Sequence, residues 1–216
     1  MPNQPNPRSV PLDLPTDERL HLAVQHYGND EVVERAVALM AGANAGDDFL
    51  LYAGGRHAQG VLDGAPPLYW PEAWGARVLL HVWNQSAAPA VIEGLENQAW
   101  RVREACAKVC VVREIHVAQK LLAMLTDEVP RVRAAALRAL AEVGTAEHID
   151  AVGALVKDPE KEVRRAAQQS RDALIARTGG AAGGQATGGG AAAGEAAAGT
   201  AGPDATADTS PDSQGA

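Results

Sequence analysis

Aromatic side chains are scarce in this chain of 216 residues: one Phe, three Tyr and four Trp. A hydrophobic share of 46% must then rest largely on alanine and the aliphatic residues. Cysteine is nearly absent. The two thiols, Cys106 and Cys110, cannot build a disulfide framework. No apolar run approaches the ~20 residues that cross a bilayer. The opening MPNQPNPRSVPLDLP lacks a basic start followed by an apolar core. It does not read as a secretory signal, and the expected location is cytoplasmic. Basic residues are outnumbered too: the formal net charge is −8, which argues against a general polyanion binder.

What is abundant sits unevenly. Five prolines fall within residues 1–15, and residues 179–216 hold 24 Ala or Gly but no Leu, Ile, Val or aromatic residue. Neither end buries enough apolar area to offset the entropy of ordering it. Residues 1–15 therefore read as a disordered proline-rich arm and residues 179–216 as a disordered acidic tail. The expected folding unit is residues 16–178. Along the chain, residues 1–96 carry a net charge of −7 and residues 97–177 a net of +3.

Internal repetition carries the most information. Segments starting at Pro89, His116 and His148 stack so that Val102-Arg103, Val132-Arg133 and Val163-Arg164 coincide, at spacings of 30 and 31 residues. Val132, Ala135, Ala136, Ala139, Leu140 and Val143 fall on one apolar stripe of a helix. Val102, Ala105, Cys106, Val109 and Cys110 repeat it. Pro130 in a first turn, and Asp158 ahead of Pro159, mark helix starts. An Asp or Asn stands six residues before each arginine: Asn97 before Arg103, Asp127 before Arg133, Asp158 before Arg164. An acceptor in each turn and a donor in the following helix, repeated in register, predict a ladder of charge-assisted hydrogen bonds. Toward the N-terminus the pattern decays to a helix over residues 17–26, a stripe of Val33, Ala36, Val37, Met40 and Ala41, and another over residues 71–83. In the third unit Ser170 and Arg171 occupy stripe positions, which predicts a polar outer face and an end near Arg177.

The L-x-[DN]-x5-R spacing and the Val/Ala stripe over residues 86–177 resemble the HEAT family of helical repeats. The closest form is the short one named after phycobilisome lyases, which suggests a small bacterial protein. The resemblance implies an all-α, right-handed α-α superhelix of about five helical hairpins. Two irregular hairpins would fill residues 16–84, with a loop at 53–70. Regular repeats would follow at 86–112, 115–143 and 147–177.

Two surfaces carry candidate binding residues. Six of the eight aromatics lie within residues 49–83. There Arg56 and His57 follow a Gly-Gly pair whose amides suit an anion, and Tyr69, Trp70 and Trp74 close the expected loop. The structural alternative is a cap folded over the first hairpins. The second surface is a row of cations. Arg101, Lys108, Arg131 and Arg138 recur at equivalent positions, with Lys161 and Arg165 close to that register. Such rows, about 10 Å apart in stacked helices, suit an acidic partner or phosphates. They equally suit pairing with Glu104, Glu128, Glu142 and Glu162. Cys106 and Cys110 read as small buried residues, since no His stands at ligand spacing, and no metal or cofactor is expected.

The resemblance implies a non-catalytic scaffold that binds a protein partner in a groove of second helices, closed at one end by the aromatic loop. Nucleic acid is not the expected partner, and the oligomeric state is open. Three other readings come from relatives of the repeat. Alkylpurine DNA glycosylase-like proteins use Trp and Asp near a lesion; Trp74, Trp83 and Trp100 are present, but no catalytic Asp can be mapped. Di-iron hydroxylases carry paired His-Glu dipeptides, whereas this chain has only Glu147-His148 in reverse order. Bilin lyases share the repeat, but nothing in the chain points to a tetrapyrrole site.

Overall fold

The computed structural model describes residues 10–182; the expectations for residues 1–9 and 183–216 lie outside the described residues. Ten α-helices among them pair into five hairpins. The first two are α1 (Thr16–Tyr27) with α2 (Asn29–Met40), and α3 (Asp47–Leu62) with α4 (Trp70–His81). The next are α5 (Ala88–Gly94) with α6 (Trp100–Val112), and α7 (Ala118–Ala123) with α8 (Pro130–Val143). The last is α9 (Ile149–Ala154) with α10 (Lys161–Ala182). The second helices α2, α4, α6, α8 and α10 pack in succession, and each first helix lies on its own partner. This is a solenoid of stacked hairpins.

Small residues make the stack possible. On α8, Val132, Ala136, Leu137, Ala139 and Leu140 are fully buried, as are Val102, Cys106, Val109 and Cys110 on α6. Each buried aliphatic side chain of Val or Leu size contributes about 1.5–3 kcal/mol, and alanine between them lets helix backbones approach. The first helices of the regular units are short, and α7 and α9 tighten into 3-10 turns at Met124–Thr126 and Leu155–Lys157. Leu121 and Val152 anchor them with no exposed surface. The turns that follow are closed by side chains. Ala99 N donates to Asn97 Oδ1 at 2.8 Å, Val129 N to Asp127 Oδ1 at 2.9 Å, and Glu160 N to Asp158 Oδ1 at 2.8 Å. Asp and Asn supply such local acceptors better than other residues.

Three expectations need correction. Residues 53–70 are not a loop: α3 continues to Leu62, and only residues 63–69 connect it to α4. The glycine pair that suggested a loop does two other things. A Cβ at Gly54 would come within 2.7 Å of the Trp74 ring, so glycine here lets the indole pack on the helix. Gly55, at φ 59° and ψ −136°, kinks the helix beside the Arg19 guanidinium. Residues 10–14 do not belong to a disordered arm either. Val10 is buried, and Arg19 donates to the Leu14 carbonyl, which seats residues 10–14 against α1. At the far end Ser170 is buried at 3% exposure rather than turned outward. Arg171 lies over Gly153 of α9, and α10 runs on to Ala182. Arg171, Gln168 and Asp172 keep a polar exposed face on this last helix, and its Arg177 donates to the carbonyls of Ala141 and Gly144.

Candidate partner-binding surface

The ladder residues separate from the surface residues. Arg103 on α6 reaches forward to the next hairpin, placing Nε 2.7 Å from Asp127 Oδ2 and Nη2 2.9 Å from Oδ1. Its Nη1 donates backward to the carbonyls of Asn97 and Gln98. Arg133 on α8 repeats this on Asp158, with both carboxylate bonds at 2.9 Å, and on the carbonyls of Asp127 and Glu128. Arg164 keeps only the backward half, to the carbonyls of Asp158 and Pro159. The side-chain hydrogen bond from Arg133 holds the Asp158 carboxyl below the usual carboxylate range, against the opposing effect of burial and with help from the Glu160 amide. Two-point carboxylate binding is what the rigid guanidinium fork does best.

On the exposed side of the same helices, the two candidate surfaces meet at Arg101. Its guanidinium carbon lies 4.3 Å from the Trp100 ring centre, 5.0 Å from that of Trp70 and 5.7 Å from that of Tyr69. Its Nη1 donates to the Tyr69 hydroxyl at 2.5 Å. Arg131 covers Trp100 from the next helix at 5.4 Å. Trp70 in turn stacks on Trp74, with centroids 6.2 Å apart, and His57 sits edge-on to both. Cations over indole faces are attracted by the ring quadrupole, so the row from Trp74 to Arg131 is mutually supporting. Tyr69, Trp70 and Trp100 are half-buried and Trp74 is buried, which makes Trp74 the foundation of the row. Desolvation lowers the pKa of His57 beside these rings.

Other sequence candidates fall elsewhere. Arg56 turns away from the rings and pairs with Asp13, both largely exposed. Lys108 pairs with Glu104 at 2.8 Å, Arg131 shares that carboxylate at 3.4 Å, and Arg138 meets Glu162 at 3.5 Å. Two of the four glutamates considered for pairing thus take part, while Glu128 and Glu142 are exposed. Lys161 and Arg165 are exposed on α10. Cys106 and Cys110 are fully buried, and burial pushes the Cys110 thiol up to about 12. Such thiols are inert. Trp100, weighed from the sequence only for the DNA glycosylase-like reading, belongs to the binding surface as well. A signal existed: it holds the position that Pro130 and Lys161 hold in the later repeats.

Stacked hairpins tied by an arginine ladder define the described part of the chain as a helical-repeat protein. Residues 117–171, from the start of the α7 hairpin into α10, match the family model for HEAT repeats. A search of curated proteins finds no match. No helix of the described residues is long and apolar enough to cross a membrane. Among the same residues, no group of three or more His, Cys, Asp or Glu is placed to hold a metal ion.

Proposed function

We propose that the protein is a non-catalytic HEAT-repeat scaffold, of the short-repeat form, that binds a protein partner in the groove formed by the exposed faces of the second helices α6, α8 and α10. The anchor is the stack of Trp70, Arg101, Trp100 and Arg131. One observation carries this reading: two half-buried indoles are held face-on by two arginines at the junction of irregular and regular hairpins. Trp, Tyr and Arg dominate the energetics of protein interfaces when they cluster on a rigid base. Here the base is buried Trp74. Around the anchor, Lys108, Arg131 and Arg138 each keep about half of their side-chain surface exposed. They suit the polar rim of an interface with an acidic partner. Nucleic acid fits less well, because Glu104 and Glu162 stand among the cations and would face phosphates.

The test is affinity capture with the full chain. Trp70→Ala with Trp100→Ala removes the anchor, and Arg131→Glu with Arg138→Glu inverts the rim. Loss of the anchor is expected to weaken retention of the partner by about 30-fold, corresponding to a hot-spot loss of about 2 kcal/mol. Rim inversion is expected to weaken it more at low than at high salt. The reading is wrong if both variants, with unchanged circular dichroism, retain every captured protein at the level of the unaltered chain.

A further inference from the structure

The arginine ladder has a rung from α6 to the turn before α8, and another from α8 to the turn before α10. One hairpin earlier it has none. Buried positions align α4 with α6 and α8: Trp74, Ala105 and Ala135 are level, and so are the exposed cations Arg77, Lys108 and Arg138. In that register Glu72 of α4 stands where the later helices hold Arg103 and Arg133. The turn it faces holds Asn97, the counterpart of Asp127 and Asp158. A carboxylate and an amide thus replace the guanidinium and carboxylate of a regular rung.

Where the rung would lie there is instead a cavity of about 690 Å³, lined by Glu72, Asn97, Glu93, Val37, Met40 and Tyr69 among others. Its size falls within the roughly 300–1,000 Å³ of small-ligand pockets. No Lys, Arg or His lines it. Lys120 engages Glu96 at its edge at 2.6 Å, but Glu72 and Glu93 have no ion pair among the described residues. Glu72 Oε2 is shut off from solvent and has no hydrogen-bond partner. A buried carboxylate oxygen without a donor is costly. Its position in the first turn of α4 offsets part of that cost but supplies no hydrogen bond.

We propose that this cavity takes an arginine side chain of the protein partner, whose guanidinium supplies the missing rung between Glu72 and Asn97. The proposal rests on the partner-binding reading above and names the chemistry the partner presents. Arginine fits in three respects. Once the Glu72 carboxylate turns so that Oε2 also faces the cavity, its fork donates two parallel bonds to it. Its aliphatic stem lies along Val37 and Met40, with the charged head at the acids. Asn97 Oδ1, which already accepts from Ala99 N, has the same second accepting capacity that Asp127 Oδ1 uses for Arg103. Glu93 adds a second negative charge at the mouth.

The probe is a blocked tripeptide, acetyl-Ala-Arg-Ala-amide, titrated into isotope-labelled full-length protein and followed by backbone amide shifts. Saturable shifts at Gly94, Asn97 and Ala99 are expected, with at least tenfold weaker binding of the same peptide carrying neutral, isosteric citrulline. Glu72→Gln with Glu93→Gln should cause a similar tenfold loss, and Glu93→Gln alone, at an exposed position, a smaller one. A built-in rung, Glu72→Arg with Asn97→Asp, should raise the melting temperature and abolish peptide binding. Absence of shifts at those amides, equal binding of the citrulline peptide, or undiminished binding to the built-in rung variant each overturns the proposal. Trp70→Ala with Trp100→Ala should leave tripeptide binding unchanged. Failure of the cavity and failure of the aromatic anchor are therefore told apart.

Discussion

A single ladder arginine satisfies two carboxylate oxygens of one hairpin and two carbonyls of another, so its loss strands acceptors on both sides. The pair of Arg133 and Asp158 is the best shielded, with side chains 11% and 7% exposed. Arg133→Ala is expected to destabilise the protein by about 2 kcal/mol, the usual value for hydrogen bonds to a charged group, as measured by urea unfolding. The pH dependence follows from the lowered pKa of Asp158. A carboxyl depressed in the folded state contributes its stability above its unfolded value, near 4, and loses it as pH falls through the folded value. The stability gap between the unaltered chain and Asp158→Asn should therefore be full at pH 7 and close as pH drops below about 4. A gap that does not shrink as pH falls would show that the carboxylate charge is not what the rung uses. The pairing of Asp or Asn with Arg was legible because its six-residue spacing is local and repeats. Its direction was not: Arg103 and Arg133 each bind the side chain of the next unit and only the carbonyls of their own.

At the scale of helices, close approach depends on a few positions that lack a side chain. Gly94 at the end of α5 lies against Cys106 of α6, where a Cβ would come within 2.5 Å of Sγ and 3.0 Å of Met40 Cε. Gly94→Ala is expected to push α5 off the stack and cost about 2 kcal/mol, as overpacking does. Cys106→Ala should recover part of that loss in the double variant, which a double-mutant cycle by thermal unfolding measures. Additive losses would mean that the two helices do not meet there. Glycine also explains where sequence reading went astray. Gly54 and Gly55 resemble loop residues because composition cannot distinguish a turn from a packing pit, and the indole that fills the pit lies 20 residues downstream at Trp74. The regular hairpins were legible because stripe, turn acceptor and arginine all agree in register. The junction of aromatics and cations at Arg101 was not, because it requires α4 to be laid on α6 as an equivalent unit.

For the molecule as a whole, the sequence divides where the chemistry does. The basic stretch coincides with the laddered hairpins, and the acidic stretch ends at the hairpin whose rung is replaced by a cavity. In a stack whose second helices touch mainly their neighbours, stability is close to a sum of hairpin and interface contributions, and damage stays near its source. Arg133→Ala, which breaks the rung joining the last two hairpins, tests this directly by native-state hydrogen exchange. Amides of α8, α9 and α10 should exchange about 30-fold faster, the equivalent of about 2 kcal/mol. Those of α2 and α4, which do not pack on the last two hairpins, should keep their protection. Uniform acceleration along the chain would mean that the five hairpins unfold as one cooperative unit. A local response would show that the aromatic end is a rigid platform that holds its shape while the far end of the stack opens.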